Sequence, residues 1–147
     1  SKCMIALAFI TPRVDSPMES KTRIATTKYG LPPAVTNYTV PGATFSNGAP
    51  ITLDLAWPEF RVAIEYDGDH HRTDKNQWRR DNDKRELLRH HHWIVIIATA
   101  ANMADEPSQA ELAYRVGRQL ALRGAVFDFT LTATPLDELA RRRRRRI

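Results

Sequence analysis

Asp54, Glu65 and Asp67, three of the acidic residues in the stretch 51–71, ITLDLAWPEFRVAIEYDGDHH, have a spacing that could bind a metal ion. The stretch is typical of two short strands joined by a turn at Pro58. Because side chains alternate between the faces of a strand, Glu65 and Asp67 share one face, and Asp54 lies on the matching face of the first strand. Like charges held together are costly unless a cation joins them. The pattern therefore predicts a divalent metal, although exposed strand ends would also explain these residues.

Histidines follow the carboxylates in two places. His70 and His71 come after a glycine turn, where an imidazole can accept or relay a proton near neutral pH. We expect His71 to have this role, the alternative being a polar residue after a turn. The residues from His90 to His92 are consecutive, so their side chains point in different directions on a helix. We therefore expect no structural zinc there.

Further elements must position the hairpin that these two strands form. Ser16 as N-cap, with Glu19 three residues later, predicts a helix over residues 17–29 that Gly30 ends. Such a capping box is by itself a sufficient reason for Glu19. The β-branched residues 34–40 predict a strand that continues into the hairpin as an antiparallel meander.

A highly charged helix is predicted over residues 75–91. Its helical spacing places Trp78, Asp81, Arg85 and Leu88 along one face. Asp81 and Arg85 thus lie between two apolar residues, Trp78 and Leu88. We expect Trp78 to belong to the core.

A strand and a last helix complete the plan. Residues 93–99, WIVIIAT, are continuously apolar, which predicts a strand buried on both faces with Trp93 in the core. Ser108 with Glu111 predicts a capping box for a helix that runs to Arg123.

The element order α-β-β-β-α-β-α predicts an α/β (α+β) fold, with a mixed four-stranded sheet flanked by helices. We expect a lead-in over residues 1–15, one domain over residues 16–124 and an extension over residues 125–147. In the extension, FDFTLTAT and PLDELA predict a short strand and a helical turn before an arginine run. Because the chain begins at Ser1 without methionine, we expect a piece of a longer protein that lacks an N-terminal domain.

The net charge of +5 comes from the arginine run, because the chain without Arg141 to Arg146 has a net charge of −1. Such a run is typical of a disordered, solvated tail, and the alternative is a phosphate-binding arm. Cys3 is the single cysteine, which excludes an internal disulfide. No apolar run approaches the roughly 20 residues of a membrane span, so we expect a cytoplasmic protein without a membrane partner.

Three runs in this order resemble a known family: SPMESKTR, LDLAWPEFRVAIEYDGDHH and WRRDNDKRELLRHHHWIVI, together covering about residues 16–123. They are similar to the restriction-endonuclease-like PD-(D/E)XK superfamily, and within it to bacterial domains grouped with very-short-patch repair (Vsr) endonucleases. The resemblance implies a restriction-endonuclease-like core. It also implies metal-dependent hydrolysis of phosphodiester bonds in DNA, most of all double-stranded DNA, in repair or phage defence.

Carried over position by position, the resemblance implies roles for individual residues. Asp54 and Glu65, with the backbone carbonyl of Tyr66, would hold Mg²⁺, for which Mn²⁺ could substitute. The expected catalytic residues are Glu19, Asp54, Glu65, Asp67, His71, Asp81 and Arg85. The residues expected to contact DNA are Arg80, Lys84 and Arg85, together with Arg141, Arg142 and Arg143 of the arginine run, which lies outside the resemblance.

The chain departs from the family pattern in two respects. Asp67 stands where the lysine of E-x-K is expected, and the zinc-binding cysteines of Vsr enzymes are absent. The first departure favours an alternative function, a nuclease-fold DNA-binding module with weak or no catalysis in a toxin–antitoxin or defence system. A hydrolase of smaller phosphoesters is a third hypothesis. The sequence leaves the oligomeric state open.

Overall fold

A computed structural model describes residues 17–67, 75–130 and 132–145. The fold is α+β, and its first seven regular elements follow the predicted order. They are α1 (Pro17–Lys28), β1 (Val35–Thr44), β2 (Pro50–Trp57), β3 (Val62–Tyr66), α2 (Lys75–His90), β4 (Ile94–Ala98) and α3 (Glu106–Leu122). A short 3₁₀ helix, Ala100–Met103, precedes α3, and a further helix, α4 (Leu136–Arg145), follows it.

The four strands form one mixed sheet in the order β1-β2-β3-β4. The strands β1, β2 and β3 are the predicted antiparallel meander, and β4 pairs parallel to β3 from Val62↔Ile94 to Tyr66↔Ala98. The parallel pairing requires a crossover between β3 and β4, and α2 lies in that connection. The prediction of a mixed sheet flanked by helices is therefore confirmed.

Each face of the sheet has its own apolar core. The first core packs β2, β3 and β4 against α3, through residues such as Leu55, Ile64 and Val116. The second core packs the other face against α2, whose single buried residue is Leu88. Strand alternation predicts one apolar face for Ile51, Leu53, Leu55 and Trp57. That prediction is wrong, because Ile51 and Leu53 belong to the second core, whereas Leu55 and Trp57 belong to the first. The register of β1 on β2 shifts between Thr39 and Thr44, and such an irregularity bends the ribbon.

The strand β4 is not buried on both faces as predicted. It is an edge of the sheet among the described residues, and its burial alternates. Ile96 and Ala98 are buried in the first core, whereas Val95 and Ile97 are only partly buried, because they line an open cavity. Trp93 is buried as predicted, with 8% of its surface exposed.

The start of α3 corrects the predicted capping box. Asp105, not Ser108, is the N-cap, and its side chain accepts a hydrogen bond of 2.8 Å from the backbone N–H of Ser108. Pro107 lies in the first turn, where its missing N–H leaves no helical hydrogen bond unmade. Aspartate and serine are both good N-caps. The helix begins three residues earlier than predicted because proline suits its first turn. Ser16, the predicted cap of α1, lies outside the described residues.

The residues after α3 return to the body of the fold. Phe127 and Phe129 pack on the first core, and the backbone N–H of Thr130 donates to the carbonyl of Tyr29 at 3.1 Å. A second bond joins the N–H of Thr134 to the carbonyl of Lys28 at 2.9 Å. These two bonds do not form the regular hydrogen-bond pattern of a sheet, so the strand predicted for FDFTLTAT is absent from residues 125–130 and 132–134.

The arginine run is helical as far as Arg145, which corrects the prediction of a disordered tail. The helix α4 buries Leu139 and Ala140 and packs them with Ile24 of α1. Arg141 pairs with Asp137 one turn earlier, and such i,i+4 pairs reduce the repulsion among consecutive arginines. Over the described residues, no helix is long and apolar enough to cross a membrane.

Candidate active site

Residues from α1, β2, β3, α2 and β4 surround a cavity of about 890 Å³. Its apolar lining comprises Met18, Leu88, Val95 and Ile97. Its polar lining comprises Glu19, Asp54, Glu65, Tyr66, Asp67, Gln77, Asp81, Lys84 and Arg85. Five carboxylates thus face two cationic side chains, and this excess of negative charge suits a cationic ligand.

The cavity brings together six of the seven residues predicted to be catalytic, namely Glu19, Asp54, Glu65, Asp67, Asp81 and Arg85. They come from helices and strands that are as much as 66 positions apart along the sequence, from Glu19 to Arg85. The seventh, His71, lies in residues 68–74, outside the described part of the chain.

The pairing of β2 with β3 places Asp54 beside Glu65. The register pairs Leu55 with Ile64 and Ala56 with Ala63, so the next positions along the strands are those of the two carboxylates. The charge of Asp54 is close enough to Glu65 to raise the pKa of its carboxyl group. Asp54 accepts a hydrogen bond of 2.8 Å from the backbone N–H of Tyr66, which fixes its orientation.

Two alanines explain why a helix can cover this face. Ala56 and Ala63 are fully buried in the second core, on the same side of the sheet as the two carboxylates. Their small side chains let α2 approach closely through Leu88. The approach of α2 brings its polar residues over Asp54 and Glu65.

An ion pair between Lys84 and Glu65 joins α2 to β3 in the cavity lining. Lys84 Nζ lies 2.8 Å from Glu65 Oε1, and the two side chains are only 25% and 19% exposed. The pKa of Glu65 is raised to about 7. Burial is the largest cause, the ammonium of Lys84 lowers the pKa, and the charge of Asp54 raises it. A carboxyl group near neutrality in a cavity is typical of functional sites.

The other polar residues extend the site from this pair. The backbone N–H of Asp67 donates to the carbonyl of Ala98 at 2.8 Å, which holds the end of β3 against β4. On α2, Gln77 Nε2 donates to Asp81 Oδ1 at 3.2 Å. Glu19 reaches the cavity from the first turn of α1.

The face of α2 that lines the cavity differs from the predicted one. Trp78 is 58% exposed and is not part of the core. The lining residues Gln77, Asp81, Lys84, Arg85 and Leu88 follow the helical spacing i, i+4, i+7, i+8 and i+11. Lys84 was predicted to contact DNA, and sequence reasoning missed its pairing with Glu65. The available signal was its position four residues before Leu88, the buried anchor of α2.

The carboxylates of the cavity fit a magnesium ion that takes only two ligands from protein side chains. The described residues contain no group of three or more His, Cys, Asp or Glu side chains that could hold a metal ion. Mg²⁺ commonly uses one or two carboxylates and completes its shell with waters and substrate phosphates. The neighbouring carboxylates of Asp54 and Glu65, both in the cavity lining, meet that smaller requirement.

The remaining residues predicted to bind DNA lie in two places outside the cavity. Arg80 places its guanidinium 5.7 Å from the centre of the Phe45 ring, a cation–π contact. Arg141 and Arg142 form ion pairs with Asp137 and Glu138 on α4. Arg143, on the same helix, is half-buried.

Comparison with known proteins yields two relatives without an assigned activity. No family model matches the chain, and no solved structure matches it. Two uncharacterized proteins from two strains of Mycobacterium tuberculosis are each 29% identical over 114 residues. The match covers 78% of this chain but 40% of each relative, so the chain spans less than half the length of the curated relatives it matches.

Proposed function

We propose that this chain is a Mg²⁺-dependent endonuclease that hydrolyses phosphodiester bonds in DNA, with a restriction-endonuclease-like core related to the Vsr endonucleases. The observation that carries the proposal is the adjacent pair of Asp54 and Glu65 on neighbouring strands, which lines a cavity of about 890 Å³ beside Lys84 and Arg85. Paired carboxylates next to cationic side chains suit the transfer of a phosphoryl group, whose negative charge needs both a metal and hydrogen-bond donors.

Asp54 and Glu65, with the backbone carbonyl of Tyr66, would hold the magnesium ion. When bound, Mg²⁺ supplies Lewis-acid polarisation of the scissile phosphate. Asp54 is oriented for this task by the N–H of Tyr66, so one of its oxygens already has a fixed direction. His71 remains the predicted proton acceptor.

The two cationic residues of α2 supply the donors for the phosphate. Lys84 is held in the cavity by Glu65, so its ammonium lies at the carboxylate pair before any substrate binds. Arg85 lines the same cavity one residue further along α2 and offers planar N–H donors that match phosphate oxygens. The family pattern expects a lysine at position 67, two residues after Glu65, where this chain has Asp67. In this arrangement Lys84 of α2 supplies an ammonium group beside Glu65 instead.

The proposal is tested by cleavage of supercoiled plasmid, linear duplex, single-stranded DNA and RNA with Mg²⁺ or Mn²⁺. We expect the duplex forms to be cut and chelation to stop the reaction. Asp54→Ala and Glu65→Ala should each lower the rate at least about a hundredfold, which exceeds the usual cost of losing an outer-shell partner. The matched control is Asp83→Ala, an exposed carboxylate of α2 that does not line the cavity.

Failure of the wild type to cut any of these nucleic acids would refute the endonuclease. Equal rates for Asp54→Ala, Glu65→Ala and Asp83→Ala would refute the site. Cleavage of RNA alone would refute DNA as the substrate.

A DNA-binding module without catalysis is the second candidate function. The pairing of Lys84 with Glu65 favours it, because an ammonium in contact with the carboxylate occupies part of the space a metal needs. It predicts salt-dependent DNA binding that survives Asp54→Ala and needs no metal. Metal-dependent binding that is lost in Asp54→Ala would exclude it. A cytoplasmic location, and a role in DNA repair, phage defence or a toxin–antitoxin system, belong to these proposals.

A further inference from the structure

Trp78, near the start of α2, is the most exposed of the three tryptophans of this chain. Trp57 and Trp93 have only 3% and 8% of their surface exposed, whereas Trp78 is 58% exposed. Trp78 also belongs to none of the apolar clusters that the described residues form. Single apolar side chains are common on protein surfaces, so the neighbours of this ring decide whether it has a use.

Trp78 begins a row of side chains along one flank of α2, at the helical spacing i, i+4, i+7 and i+11. The Trp78 row consists of Trp78, Asn82, Arg85 and Arg89. It is about 16 Å long, at roughly 1.5 Å per residue. Its two arginines are exposed and Asn82 is half-buried, and the row itself contains no carboxylate. The row therefore offers one aromatic face, followed by hydrogen-bond donors and two positive charges.

The Trp78 row meets the carboxylate cavity at Arg85. Arg85 belongs to the row and also to the cavity lining, and the lining includes Gln77 and Asp81, which lie one residue before and three residues after Trp78. Residues one turn apart on a helix have Cβ atoms about 5–6 Å apart, so Trp78 lies at the rim of the cavity. A chain of nucleotides bound along the row therefore passes the carboxylate pair of β2 and β3.

We propose that the Trp78 row binds a short single-stranded segment of DNA, with an unpaired base stacked on Trp78 and backbone phosphates on Arg85 and Arg89. Single strands bind where aromatic rings take the bases and cations take the phosphates, and the row supplies both. The inference rests on the proposed function and specifies its substrate as DNA with unpaired bases beside the scissile phosphate. A base inside a duplex is already stacked on its neighbours, so only an unpaired base is free to cover the ring.

The first experiment measures the tryptophan fluorescence of the full chain in the presence of a chelator, so that binding is observed without cleavage. An oligothymidine of about 12 nucleotides, a length within the usual range of such sites, is compared with a duplex of equal length. Because Trp57 and Trp93 are buried, quenching by a stacked base reports on Trp78. We expect the oligothymidine to quench the fluorescence more strongly than the duplex does, and this difference to be absent in Trp78→Leu.

The second experiment measures the affinity for a labelled oligothymidine by fluorescence anisotropy, again with a chelator. Trp78→Leu keeps an apolar side chain without a ring and should weaken binding at least about fivefold, the lower end for one stacked base. Trp78→Phe keeps a ring and should restore most of the affinity. Arg89→Met should weaken binding and reduce its dependence on salt, because one phosphate contact is lost. The matched control, Arg118→Met on the exposed face of α3, should bind as the wild type does.

Equal affinity of the wild type and Trp78→Leu for the oligothymidine overturns the inference, and so does an equal loss of affinity for the duplex. Fluorescence that changes with protein concentration in the absence of DNA assigns Trp78 to a contact between copies of the chain and also overturns it. These results leave the endonuclease standing, because cleavage with Mg²⁺ tests it separately. Conversely, single-strand binding that depends on Trp78, without cleavage of any nucleic acid, supports the binding site and refutes the endonuclease.

Discussion

Replacing Glu65 with glutamine should stabilise the metal-free protein at neutral and alkaline pH. The pKa of Glu65 is raised from 4.5 to about 7, mainly by burial. Because the folded pKa exceeds the unfolded one, the protonated group stabilises the fold fully below pH 4.5. That contribution is lost as the pH rises through about 7. The shift corresponds to about 3 kcal/mol, at roughly 1.4 kcal/mol for each pKa unit.

Glutamine has the size of a protonated glutamate and cannot ionise. The free energy of unfolding of Glu65→Gln should therefore equal that of the wild type near pH 4 and exceed it by about 3 kcal/mol near pH 8. The lost attraction to Lys84 is already included in this figure, because the ammonium lowers the pKa that burial raises. In a chain of this length, the Tm difference should be roughly 6–12 °C.

The measurement is urea unfolding of both proteins from pH 4 to pH 9 in the presence of a chelator, followed by circular dichroism. Glu59→Gln is the control, because Glu59 is an exposed residue of the turn between β2 and β3 and its replacement should change stability by less than about 0.5 kcal/mol. A constant difference between Glu65→Gln and the wild type across this range would refute the reasoning. Lower stability of Glu65→Gln at pH 8 would show that the ion pair with Lys84 outweighs burial.

Two further predictions concern cationic residues. Lys84→Met should bind Mn²⁺ about tenfold more tightly at about pH 9, where Glu65 is ionised and the ammonium no longer competes for it; weaker binding in calorimetry would contradict this. Arg123→Ala should lower the free energy of unfolding by about 1–3 kcal/mol, because Nη1 of Arg123 donates to the carbonyls of Phe60 at 3.2 Å and His92 at 2.6 Å. Urea unfolding beside Arg118→Ala tests it, and equal losses in both variants would contradict it.

Local sequence signals were sufficient for the order of the first seven elements and for the face that Asp54 and Glu65 share. The alternation of polar and apolar residues in β2 and β3 depends only on strand geometry, so Asp54 and Glu65 could be assigned to one face without knowledge of the rest of the fold. The turn at Pro58 then fixed the order of pairing. These predictions use interactions between residues close in sequence, which is why they transfer to the structure.

The rotation of α2 could not be predicted in the same way. Trp78 and Leu88 are both large and apolar. Helical spacing alone does not decide which of them is buried against the sheet. The choice is made by Ala56 and Ala63, which leave room for Leu88 on the sheet. Since those contacts join residues far apart in sequence, the position of Lys84 against Glu65 followed from packing that the helix itself does not encode.

The arginine helix was missed for a related reason. A run of like charges disfavours a compact conformation, and its composition favours a tail. Two factors outweigh this in α4, namely the burial of Leu139 and Ala140 and the carboxylates one turn before Arg141 and Arg142. The first factor depends on Ile24 of α1, which the sequence of α4 does not reveal.

The glycine that ends α1 limits how this chain can be shortened. Gly30 has a φ of +90°, and a Cβ at that position would lie 2.1 Å from the carbonyl oxygen of Asp128. The two backbone segments therefore touch at a point where no side chain can be inserted. A fragment that stops at Gly124 would lack the backbone contact at Asp128 as well as Phe127 and Phe129. It would therefore expose the apolar residues of the first core around Tyr29. Expression designs should therefore retain the residues through α4 and leave Gly30 unchanged.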